Sequence, residues 1–252
     1  MDPREYIIKD RLKNFKIIIP VLSPKGGVGK TTIAVALAVA LSKNSIPVGL
    51  IDLDVTNPST HIVLGIDIDK FLPREERGII PPTIANNIEF MTIAYYSKEN
   101  ALPLRGTSID NAIKEILAIT RWSSSQILIV DTSPGISDEV LDTIHLMPNI
   151  KALVVTTPSK LALISTQRIV SILKTENVDI LGVLGNMCSR ILDTRSIHEF
   201  CEKEDIEFLG CIPTIPQIEY SIGDIELLYK YTSRYMITLV NVILRGINYE
   251  KA

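Results

Sequence analysis

A glycine-rich segment between two apolar stretches constrains the fold of this chain more than any other feature. The segment occupies residues 23–32 and is Ser-Pro-Lys-Gly-Gly-Val-Gly-Lys-Thr-Thr. Residues 17–22 before it predict a buried strand, and residues 33–41 after it predict a helix of small and apolar side chains. A strand, a glycine turn and a helix N-terminus form an anion cradle, because backbone N–H groups and the helix dipole converge there. The segment therefore predicts a phosphate-binding loop that binds a nucleoside triphosphate.

The chemistry of the loop residues gives each a predicted role. Glycines let the backbone bend so that its N–H groups point at phosphate oxygens. Lys30 would reach the β- and γ-phosphates, and the Thr31 hydroxyl would hold Mg²⁺. The predicted nucleotide-binding residues of the loop are Gly26, Gly27, Val28, Gly29, Lys30, Thr31 and Thr32.

Lys25 makes this loop a variant of the standard phosphate loop, which expects glycine where the chain has Pro24 and asks for no lysine at position 25. The pattern Lys-Gly-Gly-x-Gly-Lys-Thr-Thr resembles the deviant Walker A loop of the MinD, ParA, Mrp and ArsA ATPases. That resemblance implies that the extra lysine reaches across a dimer interface to the nucleotide of the other subunit. Lys25 would then place a cation where charge develops on the transferring phosphoryl group, as an arginine finger does.

Strands and helices alternate along the rest of the chain. Repeated β-α units with apolar strands indicate an α/β fold: a doubly wound, mostly parallel sheet flanked by helices, with ligands at the carboxyl ends of the strands. We predict an N-terminal extension at 1–15 and a single P-loop ATPase domain at 16–252, with an irregular excursion at 66–88. The predicted strands are 48–52, 88–93, 126–131, 152–156, 180–186 and 207–211, and the later helices are 108–120, 161–174 and about 233–245.

Acidic residues close two of the predicted strands. Asp52 and Asp54 end one strand, and a carboxylate there can orient the water that attacks the γ-phosphate. Asp131 ends another strand as a Walker B acid that holds Mg²⁺ through water, and the Gly135 N–H could meet the γ-phosphate and sense hydrolysis. The predicted catalytic residues are Lys25, Lys30 and Asp54, and the predicted Mg²⁺ ligands are Thr31, Asp54 and Asp131.

Longer segments are similar to those of the Mrp family. Residues 52–59 resemble its Asp-Ala-Asp-x-x-Gly-Pro-Ser segment, and residues 131–138 resemble its Asp-Thr-Pro-Pro-Gly-Thr-Ser-Asp segment. The resemblance spans about residues 16–245 and implies an ATP- and Mg²⁺-dependent ATPase that closes as a homodimer through its ATP face. It also implies that Asn186 and the turn after Pro213 hold the adenine and that Asp54 is the hydrolytic residue. Further matching segments are residues 104–107, 152–158, 180–187 and 208–213.

The chain departs from the Mrp family at its cysteines. Mrp-type proteins usually carry a Cys-x-x-Cys pair soon after the Asn-Met segment, through which two subunits share an iron–sulfur cluster. This chain has Cys188-Ser-Arg-Ile there, without a second cysteine. Cys188, His198 and Cys201 could converge on a metal, but we favour a buried thiol and two ordinary helix residues. We therefore expect no iron–sulfur cluster, and we assign Cys211 to the core of a strand.

Composition excludes several other classes of protein. The net charge of −3 and the pI of about 5.7 give no direct nucleic-acid signature. The longest uncharged helical stretch, residues 31–42, falls short of the ~20 residues that span a bilayer. The N-terminus lacks a signal-peptide pattern, and three widely spaced cysteines do not suggest a disulfide framework. We expect a cytoplasmic protein.

Apolar residues near both termini leave alternatives open. Residues 235–244 are apolar nearly all round, so we predict that they pack on the body of the protein, with membrane or partner docking as the alternative. The apolar side chains within residues 6–15 could pack on the same body or on a partner.

Two functions follow from these patterns. The family segments favour an ATP-dependent carrier or scaffold in iron–sulfur or metal-cofactor assembly, acting on an unidentified client protein. The missing Cys-x-x-Cys pair favours a positioning or regulatory ATPase like MinD or ParA, with a protein, membrane or chromosome partner.

Overall fold

The computed structural model describes residues 2–85, 87–97 and 106–247. Its strands are β1 (Ile17–Leu22), β2 (Val48–Asp52), β3 (Arg74–Glu75), β4 (Ile79–Ile80), β5 (Thr83–Ile84), β6 (Ile88–Thr92), β7 (Ile127–Asp131), β8 (Ala152–Thr156), β9 (Ile180–Cys188) and β10 (Phe208–Pro213). Its helices are α1 (Pro3–Leu12), α2 (Lys30–Lys43), α3 (Thr60–Leu64), α4 (Ala94–Ser97), α5 (Thr107–Ile119), α6 (Asp138–His145), α7 (Lys160–Thr175), α8 (Ile191–Glu204) and α9 (Ile225–Gly246), with a 3₁₀ turn at Pro216–Ser221.

The apolar strands form one mostly parallel sheet. Within the described residues it has eight strands in the order β10-β9-β8-β1-β7-β2-β6-β5. Its strand pairs are parallel, except that β5 runs antiparallel to β6. Strands β1, β2, β6, β7 and β8 are buried along their whole length, as a sheet covered by helices on both faces requires. The predicted α/β sheet is therefore confirmed.

Helix α2 is buried over most of its surface and supports the C-terminal helix. Alanines alternate with larger apolar residues from Ala34 to Ala40, and these small side chains allow close packing. Helix α9 packs on α2 and β10, as predicted for the C-terminal helix, and it buries Leu228, Met236 and Leu239. It begins eight residues before the predicted start near residue 233, because the Asp224 side chain caps it by accepting a hydrogen bond from the Leu227 N–H.

Two other parts of the chain differ from or extend the prediction. The stretch predicted as irregular contains the antiparallel β3–β4 pair and strand β5, which are too short to leave an alternating pattern in the sequence. Near the N-terminus, α1 packs on α5, with Ile8 and Leu12 fully buried and the Arg4 guanidinium donating to the Asn111 side-chain oxygen at 2.7 Å.

The topology brings the predicted site segments to one edge of the sheet. Strand β7 lies between β1 and β2, and Asp131 stands in register with both Val21 and Asp52. The phosphate loop and both acidic strand ends therefore meet at the carboxyl edge.

Leu104 and Arg105 of the 104–107 segment lie outside the described residues. Among the described helices, none has the length and apolar character needed to cross a membrane.

Candidate nucleotide site

The phosphate loop joins β1 to α2 through two glycines with left-handed backbones. Gly27 has a φ of 76° and Gly29 a φ of 84°, so a side chain at either position would be strained. A Cβ at Gly29 would also collide with the side-chain amide of Asn186. The helix begins at Lys30, directly after the turn, so the backbone N–H groups of its first turn face the loop. The loop thus has the strand–turn–helix form that the sequence predicts.

Lys30 is paired with Asp131 in this structure. Its Nζ donates to Asp131 Oδ1, while Thr60 Oγ1 donates to the other carboxylate oxygen at 2.9 Å. The Lys30 side chain is 7% exposed and that of Asp131 is 1% exposed, so these charges are well shielded from water. The sequence predicts that Lys30 contacts a phosphate and that Asp131 holds Mg²⁺. Both roles require the Lys30–Asp131 ion pair to break, because each side chain then needs a different partner.

Asp52 organises the segment that follows β2. Its carboxylate accepts hydrogen bonds from the backbone N–H groups of Asp54 at 3.1 Å and of Ser59 and Thr60 at 3.0 Å. Burial, and secondarily the nearby charge of Asp131, raises the pKa of Asp52 to about 7. The sequence prediction did not include Asp52 among the site residues. The sequence feature that could have identified Asp52 is its position at a strand end, two residues before Asp54, in a segment that must turn back toward the sheet.

Asp54 faces the phosphate loop from the turn that Asp52 anchors. Its Oδ1 accepts hydrogen bonds from the hydroxyls of Thr56 at 3.0 Å and Ser133 at 3.4 Å, and from the Asn57 N–H at 3.3 Å. Asp54 lines a cavity of about 250 Å³ with the loop. The other lining residues are Ser23, Lys25, Gly26, Gly27, Val28, Gly29, Lys30, Thr31, Thr32, Asn57, Ser59 and Pro134. The structure therefore gathers the predicted loop residues and Asp54 around one space.

Gly135 directly follows Pro134, which lines this cavity. Its backbone is left-handed, with a φ of 87°, and its N–H donates to the Ser23 carbonyl at 2.9 Å. The predicted contact between this N–H and a γ-phosphate requires that hydrogen bond to break. The segment after β7 is thus tied to the first residue of the phosphate loop.

A second cavity continues from the loop toward β9 and β10. It has a volume of about 400 Å³ and shares Gly27, Gly29 and Thr32 with the first cavity, so the two cavities adjoin, and together they are called the groove. The Asn186 side-chain nitrogen donates to the Val28 carbonyl at 2.7 Å across this junction. The lining of this second cavity includes Asn186 and the turn after Pro213, which are the predicted adenine contacts. The lining residues from the β9 and β10 side are Asn186, Met187, Ile212, Pro213, Thr214, Ile215, Pro216, Ile218, Glu219 and Ile222.

Residues 14–244 match the ParA family model described as NUBPL iron-transfer P-loop NTPase. The chain belongs to this family. The predicted membership of the MinD, ParA and Mrp group is thereby confirmed. This NUBPL-type NTPase is 34% identical over 232 residues to the "Iron-sulfur cluster carrier protein" of Pyrococcus horikoshii. That alignment covers 84% of the chain and 79% of the relative. It is 32% identical over 226 residues to the protein of the same name from Methanococcus maripaludis, covering 84% of the chain and 78% of the relative.

Solved structures share the fold of this NUBPL-type NTPase. A nucleotide-binding protein from Archaeoglobus fulgidus in complex with ADP aligns with a TM-score of 0.77 and 25% identity, covering 92% of this chain and 96% of that one. The cell division ATPase MinD of Pyrococcus furiosus aligns with a TM-score of 0.70 and 21% identity, covering 92% and 99% of the two chains. The second similarity extends to the fold alone.

The predicted Mg²⁺ ligands of the NUBPL-type NTPase have suitable chemistry. Thr31 contributes a hydroxyl, and Asp54 and Asp131 contribute carboxylates, which are the hard oxygen ligands that Mg²⁺ takes beside its retained waters. Thr31 and Asp54 line the same cavity, and Asp131 lies beneath it in contact with Lys30. The donor set fits this ion, and the individual roles stay predictions.

Cys188 is buried and His198 and Cys201 lie on α8, as the favoured prediction has them, but Cys188 also makes a contact that the sequence did not predict. Cys188 contacts Cys211 on the next strand, with Sγ atoms 2.6 Å apart. His198 packs edge-on against Phe208, and within the described ranges no three His, Cys, Asp or Glu side chains form a group that could hold a metal. Cys211 lies in a strand as predicted, but it is half-buried. The sequence missed the Cys188–Cys211 contact because the two residues are 23 positions apart and meet only when β9 pairs with β10.

Proposed function

We propose that this protein is an Mg²⁺-dependent ATPase that acts as a nucleotide-controlled homodimer switch in iron–sulfur cluster assembly. The observation that carries the proposal is the groove, in which the cavity beside Asn186 and Pro213, called the base cavity from here on, adjoins the cavity that the phosphate loop and Asp54 line. Family membership and the names of the relatives support the connection with iron–sulfur clusters.

The proposed cycle begins with an exchange of partners at Lys30. Binding of the triphosphate draws the Lys30 ammonium from Asp131 to the phosphates, because these oxygens offer it a greater negative charge. Asp131 would then be able to hold Mg²⁺ through water, and the Thr31 hydroxyl would be the direct ligand. Bound Mg²⁺ would neutralise charge on the β- and γ-phosphates. Thr60 follows Asp131 through its hydrogen bond, so the exchange extends to α3.

Hydrolysis would then depend on the segment that Asp52 holds. Three backbone N–H groups bound by Asp52 fix the turn, and contacts from Thr56 and Asn57 orient the Asp54 carboxylate toward the cavity. Asp54 would orient the attacking water. The Gly135 N–H would leave the Ser23 carbonyl for the γ-phosphate, and its return after hydrolysis would signal loss of that phosphate.

Lys25 supports the homodimer. It is exposed at the edge of the phosphate cavity, and within the described residues it has no ion-pair partner, in contrast to the buried Lys30. An exposed cation beside the cavity is available to a second subunit that closes over the groove. Contact with the nucleotide of that subunit would supply the charge stabilisation of an arginine finger.

The cysteines favour the role of a scaffold or ATPase partner over that of a cluster carrier. A cubane cluster takes four thiolates, whereas Cys188 is buried and directs its thiol to Cys211. The side chains present therefore do not offer the paired, outward thiolates that sharing a cluster between two subunits requires. The cluster would be cargo on a client protein, and the ATP cycle would control the contact with that client.

Iron and sulfide content after anaerobic reconstitution tests this division of roles. We expect no stable stoichiometric cluster and no absorbance band near 400 nm in the wild type, while phosphate release from ATP proceeds with Mg²⁺ and stops with a chelator. About four irons per wild-type dimer, lost in Cys188→Ser, would restore the carrier role. Absence of Mg²⁺-dependent phosphate release, from the protein alone and with candidate client proteins added, would instead contradict the ATPase proposal.

The alternative is a MinD- or ParA-like regulatory ATPase. The lack of a Cys-x-x-Cys pair favours it, because nothing then ties the ATP cycle to a cluster. Capture with an Asp54→Ala protein trapped with ATP distinguishes the two. Recovery of iron–sulfur proteins supports the first function, and recovery of a septum, chromosome or membrane partner supports the second.

A further inference from the structure

Cys188 and Cys211 form a dithiol at the ends of β9 and β10. Their Sγ atoms are 2.6 Å apart, about half an ångström beyond the length of a disulfide bond. Both cysteines are present as free thiols. The two residues lie on neighbouring parallel strands, where Cys211 stands opposite Gly185 and Cys188 stands opposite Pro213, so the sulfur atoms meet across an irregular part of the β9–β10 pairing.

Gly185 provides the space in which the two thiols meet. A Cβ at this position would collide with Cys211 Sγ and would lie 3.1 Å from Cys188 Sγ and 2.7 Å from the side chain of Ile197. Any larger residue would therefore push the sulfur atoms apart or displace α8. Cys201 projects from α8 into the same cluster, but it is 1% exposed.

The two sulfur atoms differ in their chemistry. The Cys188 thiol donates to Cys211 Sγ, and this hydrogen bond, with a further one from the Thr194 hydroxyl, lowers the pKa of Cys211 against the effect of burial. The same contact raises the pKa of Cys188, and burial raises that of Cys201 to about 12. Cys211 is also the more exposed member of the pair, so it is the better nucleophile toward a small oxidant.

We propose that Cys188 and Cys211 are an oxidation site at which a hydroperoxide closes a disulfide within one chain. The Cys211 thiolate attacks a peroxide oxygen, so that an S–O bond forms, the O–O bond breaks and an alcohol, or water from hydrogen peroxide, leaves with one proton. The Cys188 sulfur then attacks the resulting sulfenic acid, forming the S–S bond and releasing water. Two thiols and one hydroperoxide thus give one disulfide, one alcohol and one water.

The position of the pair places this bond beside the base cavity. Asn186 and Met187 precede Cys188 on β9. Pro213 at the end of β10 and Thr214 directly after it follow Cys211, and all four residues line that cavity. The disulfide would therefore join the two strands whose ends form one wall of the groove.

Peptide mapping of the full-length protein after treatment with hydrogen peroxide tests the proposal. We expect two of the three thiols to be lost and one intrachain Cys188–Cys211 peptide to appear, and in Cys201→Ser we expect the same peptide and the loss of both remaining thiols. In Cys188→Ser we expect no intrachain bond and a dimedone adduct on Cys211. Retention of all three thiols, a bond that includes Cys201, or disulfides only between chains would overturn the proposal.

A variant in α8 tests the assignment of Cys211 as the attacking thiolate. Thr194→Val removes the hydroxyl that favours this thiolate, and it should slow disulfide formation roughly two- to fivefold, since nucleophilicity partly offsets thiolate fraction. Ser196→Ala is the matched control, because the Ser196 hydroxyl bonds instead to the Asp193 carbonyl. Equal rates in the two variants would contradict the assignment.

Discussion

The two halves of the groove are built on different principles. On the phosphate side, charged groups are buried and already paired, as in Lys30 with Asp131 and in Asp52 with three backbone N–H groups. On the base side, the walls are largely apolar, and one amide hydrogen bond from Asn186 reaches the loop. Binding on the phosphate side therefore requires an exchange of existing partners, whereas binding on the base side mainly fills space.

This difference indicates where the switch resides. A buried ion pair is stable only while each charge has a partner, so the arrival or loss of phosphate and metal changes which side chains are paired. Apolar contacts with a base would be the same before and after hydrolysis. The phosphate side would thus carry the nucleotide-dependent change, and the base side would contribute affinity that the change does not alter.

The largest expected effect is on hydrolysis in Lys25→Ala. Because Lys25 is exposed and would act on the other subunit's nucleotide, its loss should lower phosphate release by about 10³ while ATP affinity stays within about tenfold. Single-turnover hydrolysis and equilibrium binding measure the two quantities. Equal losses of binding and hydrolysis would show that Lys25 serves its own subunit's nucleotide.

Lys30→Ala should lower ATP affinity by at least about 100-fold. The variant removes the main cation for the phosphates and leaves the buried Asp131 without its charged partner, a kind of loss that typically costs several kcal/mol. Titration with a fluorescent ATP analogue measures the affinity. Lys43→Ala is the control, since its ion pair with Glu226 lies at the surface. An affinity within tenfold of wild type in Lys30→Ala would contradict the partner exchange.

Asp52→Ala should affect hydrolysis more than binding. Three backbone N–H groups would lose their acceptor, at about 1–3 kcal/mol for a buried unsatisfied group such as that of Thr60, so the turn that orients Asp54 should loosen. We expect roughly 10- to 100-fold slower hydrolysis with ATP affinity within about threefold, and a smaller loss in Asp52→Asn, which keeps one acceptor oxygen. Unchanged turnover in Asp52→Ala would remove Asp52 from the account.

Asn186→Ala tests the base side and should have the smallest effect. One hydrogen bond of about 0.5–1.5 kcal/mol is lost, so ATP affinity should fall about two- to tenfold while hydrolysis at saturating ATP is unchanged. Asn44→Ala, which removes a similar amide bond to a carbonyl in α2, should leave ATP affinity unchanged. A large loss of turnover in Asn186→Ala would mean that the base side takes part in the switch.

The same contrast explains how far the sequence could predict the structure. The phosphate loop, Asp54 and Asp131 are short motifs at strand ends, so local patterns placed them and the parallel topology joined them. The role of Asp52 was missed because it depends on hydrogen bonds to residues up to eight positions away. The Cys188–Cys211 pair and the Asn186–Val28 bond depend on contacts between distant segments, which no local pattern records.

In the proposed cycle, ATP joins two chains across the phosphate side of the groove. Light scattering of the Asp54→Ala protein, which should bind ATP without hydrolysing it, tests this most directly. With ATP and Mg²⁺ we expect a species of twice the mass of one chain, and with ADP we expect the single chain. A protein that binds ATP but remains a single chain at micromolar concentration would contradict the account.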